Sequence, residues 1–196
     1  MISVLLLASS ALAQVPIIIE TDLGSIHVQL DDKRAPVTTA NFLKYVDAGH
    51  FQGGRFHRTV KLKPDNQPQS AVKIEVIQGG VNPERKDQGF GPIKLERTTA
   101  TGLKHLDGTI SMARSQPDSA TSDFFICIGE QPSLDFGGQR NPDGQGFAAF
   151  GQVTQGMEIV RKIQAAPSGT GDDGTNATLQ RLTPPVQIRN ITRRQK

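Results

Sequence analysis

Most of this chain alternates short apolar runs with turn-forming residues, a pattern that is typical of antiparallel strands. The clearest pair of runs is residues 17–21 and 25–30, which flank Asp22-Leu23-Gly24. Apolar and polar side chains alternate in the second run, as they do in a half-buried strand, so the pair predicts a hairpin. Similar runs predict further strands at residues 56–59, 74–78, 109–114, 124–128, 147–153 and 186–192.

Two other segments repeat their apolar residues with helical spacing. The first begins at Pro36, which the first turn of a helix accommodates, and it ends before Gly49. The second covers residues 157–165 and is followed by Pro167 and Gly169. Eight strands and two helices indicate a mainly β fold. We predict a closed eight-stranded antiparallel β-barrel capped by the two α-helices, because closure removes the exposed edges of the sheet.

The connecting segments are rich in Gly, Pro and polar residues. This composition predicts loops at residues 64–69, 139–146 and 168–178. No internal repeat and no block of like charges marks a boundary between domains. We therefore expect residues 14–196 to form a single domain.

Residues 1–13 read MISVLLLASSALA and resemble a signal peptide, with an apolar stretch and a small-x-small site before Gln14. The stretch is shorter than the roughly 20 apolar residues that span a bilayer, so we expect no permanent membrane anchor. We expect export, to a periplasm or the medium. No Lys or Arg precedes Val4. A start codon placed too late, or an apolar first strand, is the alternative, and the protein would then stay in the cytoplasm.

Composition narrows the possible functions. The 196 residues carry 22 Lys+Arg and 19 Asp+Glu, and a net charge of +3 is too small to indicate a nucleic-acid partner. The basic residues near the end of the chain are typical of a solvated terminus. One Cys excludes an intramolecular disulfide, and the apolar run around Cys127 indicates a buried, unreactive thiol.

The common signatures of cofactor and metal chemistry are missing or unconvincing. The four His residues have no spacing suited to a metal site. The G-x-S-x-G motif of serine hydrolases is also absent from the sequence. Residues 169–174 match G-x-G-x-x-G, but Asp172 and Asp173 would repel a phosphate, so we interpret the match as a loop. We expect neither a metal nor a cofactor.

Six short motifs occur in an order that resembles the cyclophilin family. They are Phe56-His57-Arg58, Gln78-Gly79-Gly80, Ser111-Met112-Ala113, Phe124-Phe125-Ile126, Leu134-Asp135 and a segment ending in Phe150-Gly151. The Ala40-Asn41-Phe42 helix also matches, and the resemblance covers about residues 17–191. Cyclophilins are peptidyl-prolyl cis-trans isomerases built on an eight-stranded barrel capped by two helices. The resemblance therefore implies an isomerase that acts on Pro-containing polypeptide chains, which we expect to be a monomer.

The resemblance also implies roles for individual residues. Arg58 matches the catalytic arginine, and a surface arginine is the alternative interpretation. Gln78 matches the glutamine that binds near it, and Phe125 and Leu134 match two walls of the proline pocket. Ala113 matches the short residue beside the peptide backbone. The remaining substrate-site candidates are His57, Val76, Asp123 and Phe147.

The sequence departs from the family pattern around the expected pocket. The connection at residues 59–77 is longer than usual, and residues 136–146 also form a lengthened segment. Glu75 and Val76 replace an aromatic residue and a Met, while Asp123 stands where Gln is common and Phe147 where His is common. Two hypotheses follow: an isomerase, or a low-turnover chaperone or peptide-binding module of the same fold.

Overall fold

The computed structural model describes residues 14–169 and 174–194. Its strands are β1 (Val15–Thr21), β2 (Gly24–Leu30), β3 (Gly54–Val60), β4 (Val76–Gly80), β5 (Thr109–Met112), β6 (Phe124–Cys127), β7 (Ala148–Gln155) and β8 (Arg181–Arg193). They form a closed antiparallel barrel in the order β1-β2-β7-β5-β6-β4-β3-β8, and β8 pairs back onto β1. The predicted fold class is confirmed.

Both predicted helices are present among shorter helical turns. The helices are α1 (Pro36–Asp47), α2 (Thr98–Thr101), α3 (Met157–Ala165) and α4 (Asn176–Leu179), and 3-10 turns occupy Pro83–Gln88 and Pro132–Leu134. The prediction of a loop at residues 168–178 was wrong at its end, where α4 begins. The Thr175 hydroxyl accepts a hydrogen bond from the backbone N–H of Thr178 and so caps this turn. Residues 170–173 of the predicted loop lie outside the described residues.

The apolar faces of α1 and α3 pack into one core with the inward-facing strand residues. Phe42 from α1 contacts the rings of Phe51, Phe124 and Phe150, with centroids 5.0–5.5 Å apart. Ile163 of α3 belongs to the same buried cluster. Aromatic side chains bury large apolar areas, so this cluster stabilises the barrel and holds both helices against it.

β4 begins two residues later than the sequence pattern predicts. The buried Gln67 side chain accepts a hydrogen bond from the Ile74 N–H at 3.1 Å and donates to the Ile74 carbonyl at 2.7 Å. The backbone N–H and carbonyl of Ile74 therefore bond to a side chain instead of to a neighbouring strand. At its other end, β4 extends to Gly80. A Cβ added at this position would lie 2.2 Å from Oδ1 of Asp123, so a larger residue here would displace the Asp123 side chain.

β8 begins at Arg181, five residues before the predicted start, and it runs through Pro184 and Pro185. Arg58 of β3 pairs with Arg181 and Phe56 pairs with Val186, with an irregularity between them. The prolines lie in the intervening bulge, where β3 requires no N–H from them. This placement explains why the turn-forming Pro-Pro sequence was wrongly excluded from the strand.

Residues 1–13, for which a signal peptide is predicted, lie outside the described residues. Within residues 14–169 and 174–194, no helix has the length and apolar character needed to cross a membrane.

Candidate active site

A groove of about 1590 Å³ runs over the outer face of β3, β4 and β6. All nine residues that the sequence analysis proposed for the site line this groove. They are His57, Arg58, Val76, Gln78, Ala113, Asp123, Phe125, Leu134 and Phe147. The antiparallel register brings them together, because it places Arg58 opposite Gln78 and Gln78 opposite Phe125.

A β-bulge turns Arg58 toward the groove. Phe56 points into the barrel core, and strict alternation would send Arg58 the same way. The register of β3 shifts between these two residues against both β4 and β8. The extra residue, His57, therefore reverses the facing of the strand, and both His57 and Arg58 line the groove.

Two neutral side chains hold the Arg58 guanidinium. Its Nε donates to Oε1 of Gln180 at 2.9 Å, and its Nη1 donates to Oε1 of Gln78 at 2.8 Å. Burial, with a smaller contribution from the charge of Arg140, lowers the pKa of Arg58 from its ordinary value to about 10. The guanidinium remains charged at neutral pH, and no carboxylate of the described residues pairs with it.

Gln180 is a site residue that the sequence analysis missed. It follows α4 directly, and only 1% of its surface is exposed. Its backbone carbonyl accepts from the Thr59 N–H at 2.9 Å, and its Nε2 donates to the Asn66 carbonyl at 3.0 Å. These contacts fix its Oε1 toward Arg58. No local motif marks Gln180, because it lies 122 residues from Arg58 in the sequence.

Gln78 links Arg58 to the acidic side of the groove. Its Nε2 donates to Oδ2 of Asp123 at 3.3 Å, and that same oxygen lies 3.7 Å from Nε2 of His57. Burial lowers the pKa of His57 below 6.5, although the charge of Asp123 acts in the opposite direction. His57 is therefore neutral at pH 7, which agrees with a residue that supports the site and does not carry a charge in catalysis.

An apolar pocket opens beside Arg58, and its walls form a cluster separate from the barrel core. The buried members are Val60, Ile74, Val76, Phe125, Cys127 and Leu134, with Ala113 and Phe147 packed against them. The Phe125 and Phe147 rings meet edge to face with centroids 5.4 Å apart. Burial raises the pKa of the Cys127 thiol well above its ordinary value, so the predicted unreactive thiol is confirmed as part of this wall.

The long connection after β3 supplies part of the pocket wall. Ile74 and Val76 lie in the cluster, whereas Glu75 accepts hydrogen bonds from the Leu62 N–H and from Nε2 of Gln164. Ile74 and Val76, on either side of Glu75, therefore supply the apolar surface of this wall.

A buried polar chain supports Phe125 from behind. The His105 ring stacks on Phe125 with centroids 5.9 Å apart and an interplanar angle of 15°. Its Nδ1 lies 2.8 Å from Oδ1 of Asp135, and its Nε2 lies 3.0 Å from Oγ of Ser111. Burial acts to raise the pKa of Asp135, but the hydrogen bonds and charge of His105 outweigh it and lower that pKa. Ser111 is fully buried, so this Ser-His-Asp chain positions Phe125 and offers no nucleophile to a substrate.

The lengthened segment at residues 136–146 packs beside the pocket. The Phe147 N–H donates to the Leu134 carbonyl at 3.0 Å, and the Arg114 guanidinium lies 5.0 Å from the centroid of the Phe147 ring. Asp143 binds the same guanidinium through two hydrogen bonds of 2.7 and 2.9 Å. Arg114 thereby fastens the segment to the wall of the pocket.

The comparisons with known proteins agree with this geometry. Residues 16–193 match the family model described as cyclophilin type peptidyl-prolyl cis-trans isomerase/CLD. Peptidyl-prolyl cis-trans isomerase A of Dickeya dadantii is 38% identical over 157 residues, covering 80% of this chain and 74% of the relative. A peptidyl-prolyl cis-trans isomerase of Acinetobacter baylyi is 35% identical over 189 residues, covering 95% of this chain and 89% of the relative.

The comparison with solved structures shows the same fold. The crystal structure of a cyclophilin-type peptidyl-prolyl cis-trans isomerase of Cryptosporidium parvum superposes with a TM-score of 0.70 at 21% identity, covering 93% of this chain and 99% of that one. This chain belongs to the cyclophilin-type peptidyl-prolyl cis-trans isomerase family. Its activity is the cis-trans isomerisation of peptidyl-prolyl bonds in protein folding.

Proposed function

We propose that the groove isomerises X-Pro bonds in unfolded or partly folded chains, with Arg58 as the catalytic residue. The observation that carries this proposal is a charged guanidinium held by two neutral amides beside an apolar pocket. The pocket suits a proline ring, which has no N–H that needs an acceptor. A related Cryptosporidium parvum cyclophilin was crystallised in the presence of the dipeptide Ala-Pro, which supports a Pro-containing ligand.

The chemistry requires no covalent step. Rotation about a peptide bond has a barrier of roughly 18–20 kcal/mol, because resonance gives the C–N bond partial double-bond character. Twisting the bond returns the lone pair to the prolyl nitrogen, which then accepts a hydrogen bond more strongly than in either planar state. A donor placed at that nitrogen therefore stabilises the transition state more than the substrate, and this difference accelerates the reaction.

The way Arg58 is held suits it to this role. Gln180 occupies its Nε and Gln78 accepts from its Nη1, so N–H groups remain for the substrate. Neutral partners orient the guanidinium without cancelling its charge. The barrier must fall by roughly 3–7 kcal/mol at ordinary turnover rates. Charged hydrogen bonds contribute about 1.5–3 kcal/mol each, so one or two of them together with positioning of the bound chain supply this amount.

We propose that the remaining groove residues bind the chain around the proline. Phe125, Leu134, Phe147 and Val76 contact the ring, and the small Ala113 lets the peptide backbone approach. Gln78 binds the peptide, and Asp123, with His57 beside it, orients the side-chain amide of Gln78. Two observations support this division. The four residues proposed to contact the ring belong to or pack against one apolar cluster. Gln78, Asp123 and His57 instead form a chain of polar contacts.

Exchange NMR on a Pro-containing peptide tests the proposal directly, because it needs no coupling protease. We expect Arg58→Ala to lower kcat/KM by about a hundredfold or more. Gln180→Leu should cause a smaller loss, because the guanidinium survives but is no longer fixed. Arg161→Ala, an exposed change on α3, is the matched control. Equal and negligible rates for the wild type and Arg58→Ala, with peptide still bound, would show a binding module instead.

We also propose that the protein is exported and acts as a monomer. The apolar stretch at residues 1–13 and its small-x-small site support export, and the family match begins after it, at residue 16. The proposed catalytic and binding residues lie together in one groove of a single chain, so the proposed site requires no second copy. Amino-terminal sequencing of the secreted protein should find Gln14 first, and light scattering should give the mass of one chain.

A further inference from the structure

A second arginine reaches the groove from the lengthened segment at residues 136–146. The Arg140 backbone N–H donates to the Ser133 carbonyl at 3.1 Å, which anchors it next to Leu134 of the pocket. Its Nη1 donates to the carbonyl of Val72, in the long connection after β3. Arg140 therefore joins the two segments that depart most from the family pattern, and it lines the groove together with Arg58.

No ion pair among the described residues includes Arg140 or Arg58. The carboxylates on the neighbouring segments are already engaged by other side chains. These pairs are Asp143 with Arg114, Asp65 with Lys73, and Glu75 with Gln164. The described groove residues include one carboxylate, Asp123, which interacts with Gln78 and His57. Among the described residues, the positive charge of this part of the groove is therefore uncompensated.

The charge of Arg140 acts on the Arg58 guanidinium. Partial burial lowers the pKa of Arg140, and the charge of Arg140 contributes to the lowered pKa of Arg58. Opposite charges attract more strongly in a partly buried site than in water, so an anion beside these two cations would stabilise them. A carboxylate entering the groove would supply that stabilisation.

We infer that Arg140 is a specificity-determining residue that favours substrates with an acidic side chain close to the proline. This inference rests on the proposed function, since it places the X-Pro bond at Arg58. The hydrogen bond to Val72 uses one of the five N–H donors of Arg140, so the planar fork can still bind a carboxylate. The anchored backbone and side chain also reduce the conformational entropy that binding would cost.

A set of matched peptides tests the inference. Exchange NMR would measure kcat/KM for otherwise identical peptides that carry Glu, Gln or Lys at each position flanking the proline. We expect the best Glu peptide to exceed its Gln counterpart by about threefold to fivefold at low ionic strength, and the Lys peptide to be the poorest. The preference should weaken at high salt, because screening shortens the range of charge interactions to about 3 Å at 1 M.

Variants separate Arg140 from the other groove cations. Arg140→Gln should remove the Glu-over-Gln preference, so that the ratio of kcat/KM for the Glu and Gln peptides falls to about one. Arg140→Lys should retain part of the preference, because it keeps the charge and loses the fork. Arg189→Gln, an exposed change outside the groove, is the control of equal charge and should leave the preference unchanged.

Each outcome decides one of the two proposals. Turnover of the Glu and Gln peptides at equal rates by the wild type would overturn the inference and leave the proposed function standing. A Glu preference that survives in Arg140→Gln would assign it to another groove cation and would also overturn the inference. Failure of the wild type to isomerise any peptide would overturn the proposed function itself. The wild-type peptide series decides between these outcomes even where a variant fails to fold.

Discussion

Phe124 and Phe125 are neighbours on β6, yet they belong to two different parts of the molecule. Phe124 is fully buried among the rings of Phe42, Phe51 and Phe56 in the barrel core. Phe125 points to the opposite face, where it forms the wall of the apolar pocket with Phe147. The alternation of side chains along a strand thus separates a residue that holds the fold from one that we propose binds substrate.

The two clusters are also built from different kinds of segment. The core takes its members mainly from strands and from α1 and α3, so its pattern is visible as sequence periodicity. The pocket adds Ile74 and Leu134 from connecting segments and depends on polar side chains behind its walls. The core therefore follows from regular secondary structure, whereas the pocket requires particular loops to be held in place.

The largest expected effect separates the two rings. Phe124→Ala should lower the free energy of unfolding by about 3–5 kcal/mol, because it leaves a closed cavity among three aromatic rings. Phe125→Ala should cost less, about 2 kcal/mol, because the space it leaves opens onto the groove. Phe125→Ala should nevertheless lower kcat/KM about tenfold, since it removes a wall of the pocket. Urea denaturation and exchange NMR on both variants measure these quantities.

A reversed result would break this comparison. If Phe124→Ala remained folded and lost as much kcat/KM as Phe125→Ala does, the division between the core and the pocket would be wrong. Phe125→Leu offers a milder change that keeps the wall apolar, and it should recover part of the lost activity.

An intermediate effect is expected at Gln67, which fastens the long connection after β3. Its side chain bonds the Ile74 N–H and carbonyl, and Ile74 packs in the pocket cluster. Gln67→Ala should cost about 2 kcal/mol of stability, because buried backbone groups lose their partners. KM should rise more than kcat falls, since the wall loosens while Arg58 stays in place. Gln139→Ala, at an exposed glutamine, is the control, and an unchanged KM in Gln67→Ala would contradict this role.

The smallest expected effect is the response to pH. The pKa of His57 lies below 6.5 and that of Arg58 at about 10, so neither group changes its charge between about pH 7 and 9. We expect kcat/KM to vary by less than about twofold across this range and to fall as the pH approaches 10, because Arg58 then loses its proton. In Arg58→Lys the fall should begin at lower pH, since the same burial would lower the pKa of a lysine from about 10.4.

An inflection near pH 6.5 in the wild type would contradict this prediction, because it would show that His57 titrates at its ordinary pKa and affects turnover. His57→Asn should abolish such an inflection and would identify its source.

The sequence predicted all eight strands and both principal helices, since their periodicity reflects which side chains the core buries. It erred at boundaries that distant groups determine. Ile74 was predicted to lie in a strand, but its backbone is bonded by the Gln67 side chain. β8 was predicted to begin after Pro185, but a bulge accommodates both prolines.

The candidate site divides in the same way. Motifs identified Arg58, Gln78 and Phe125 as groove residues because short sequences around them are distinctive. Nothing local identified Gln180 or His105 as supports of the site. Each contacts its site partner across the barrel surface, so its contribution exists only once the strands have paired.

By itself, the sequence determined the class of fold and the chemistry available to the groove, because strand periodicity and residue type are local properties. Only the tertiary structure decided where Arg58 points and what holds it. A strand with unbroken alternation from Phe56 would have carried its charge into the apolar core, at a large desolvation cost. The bulge at His57 turns Arg58 outward, where Gln78 and Gln180 bind it, and that outcome depends on pairing with both neighbouring strands.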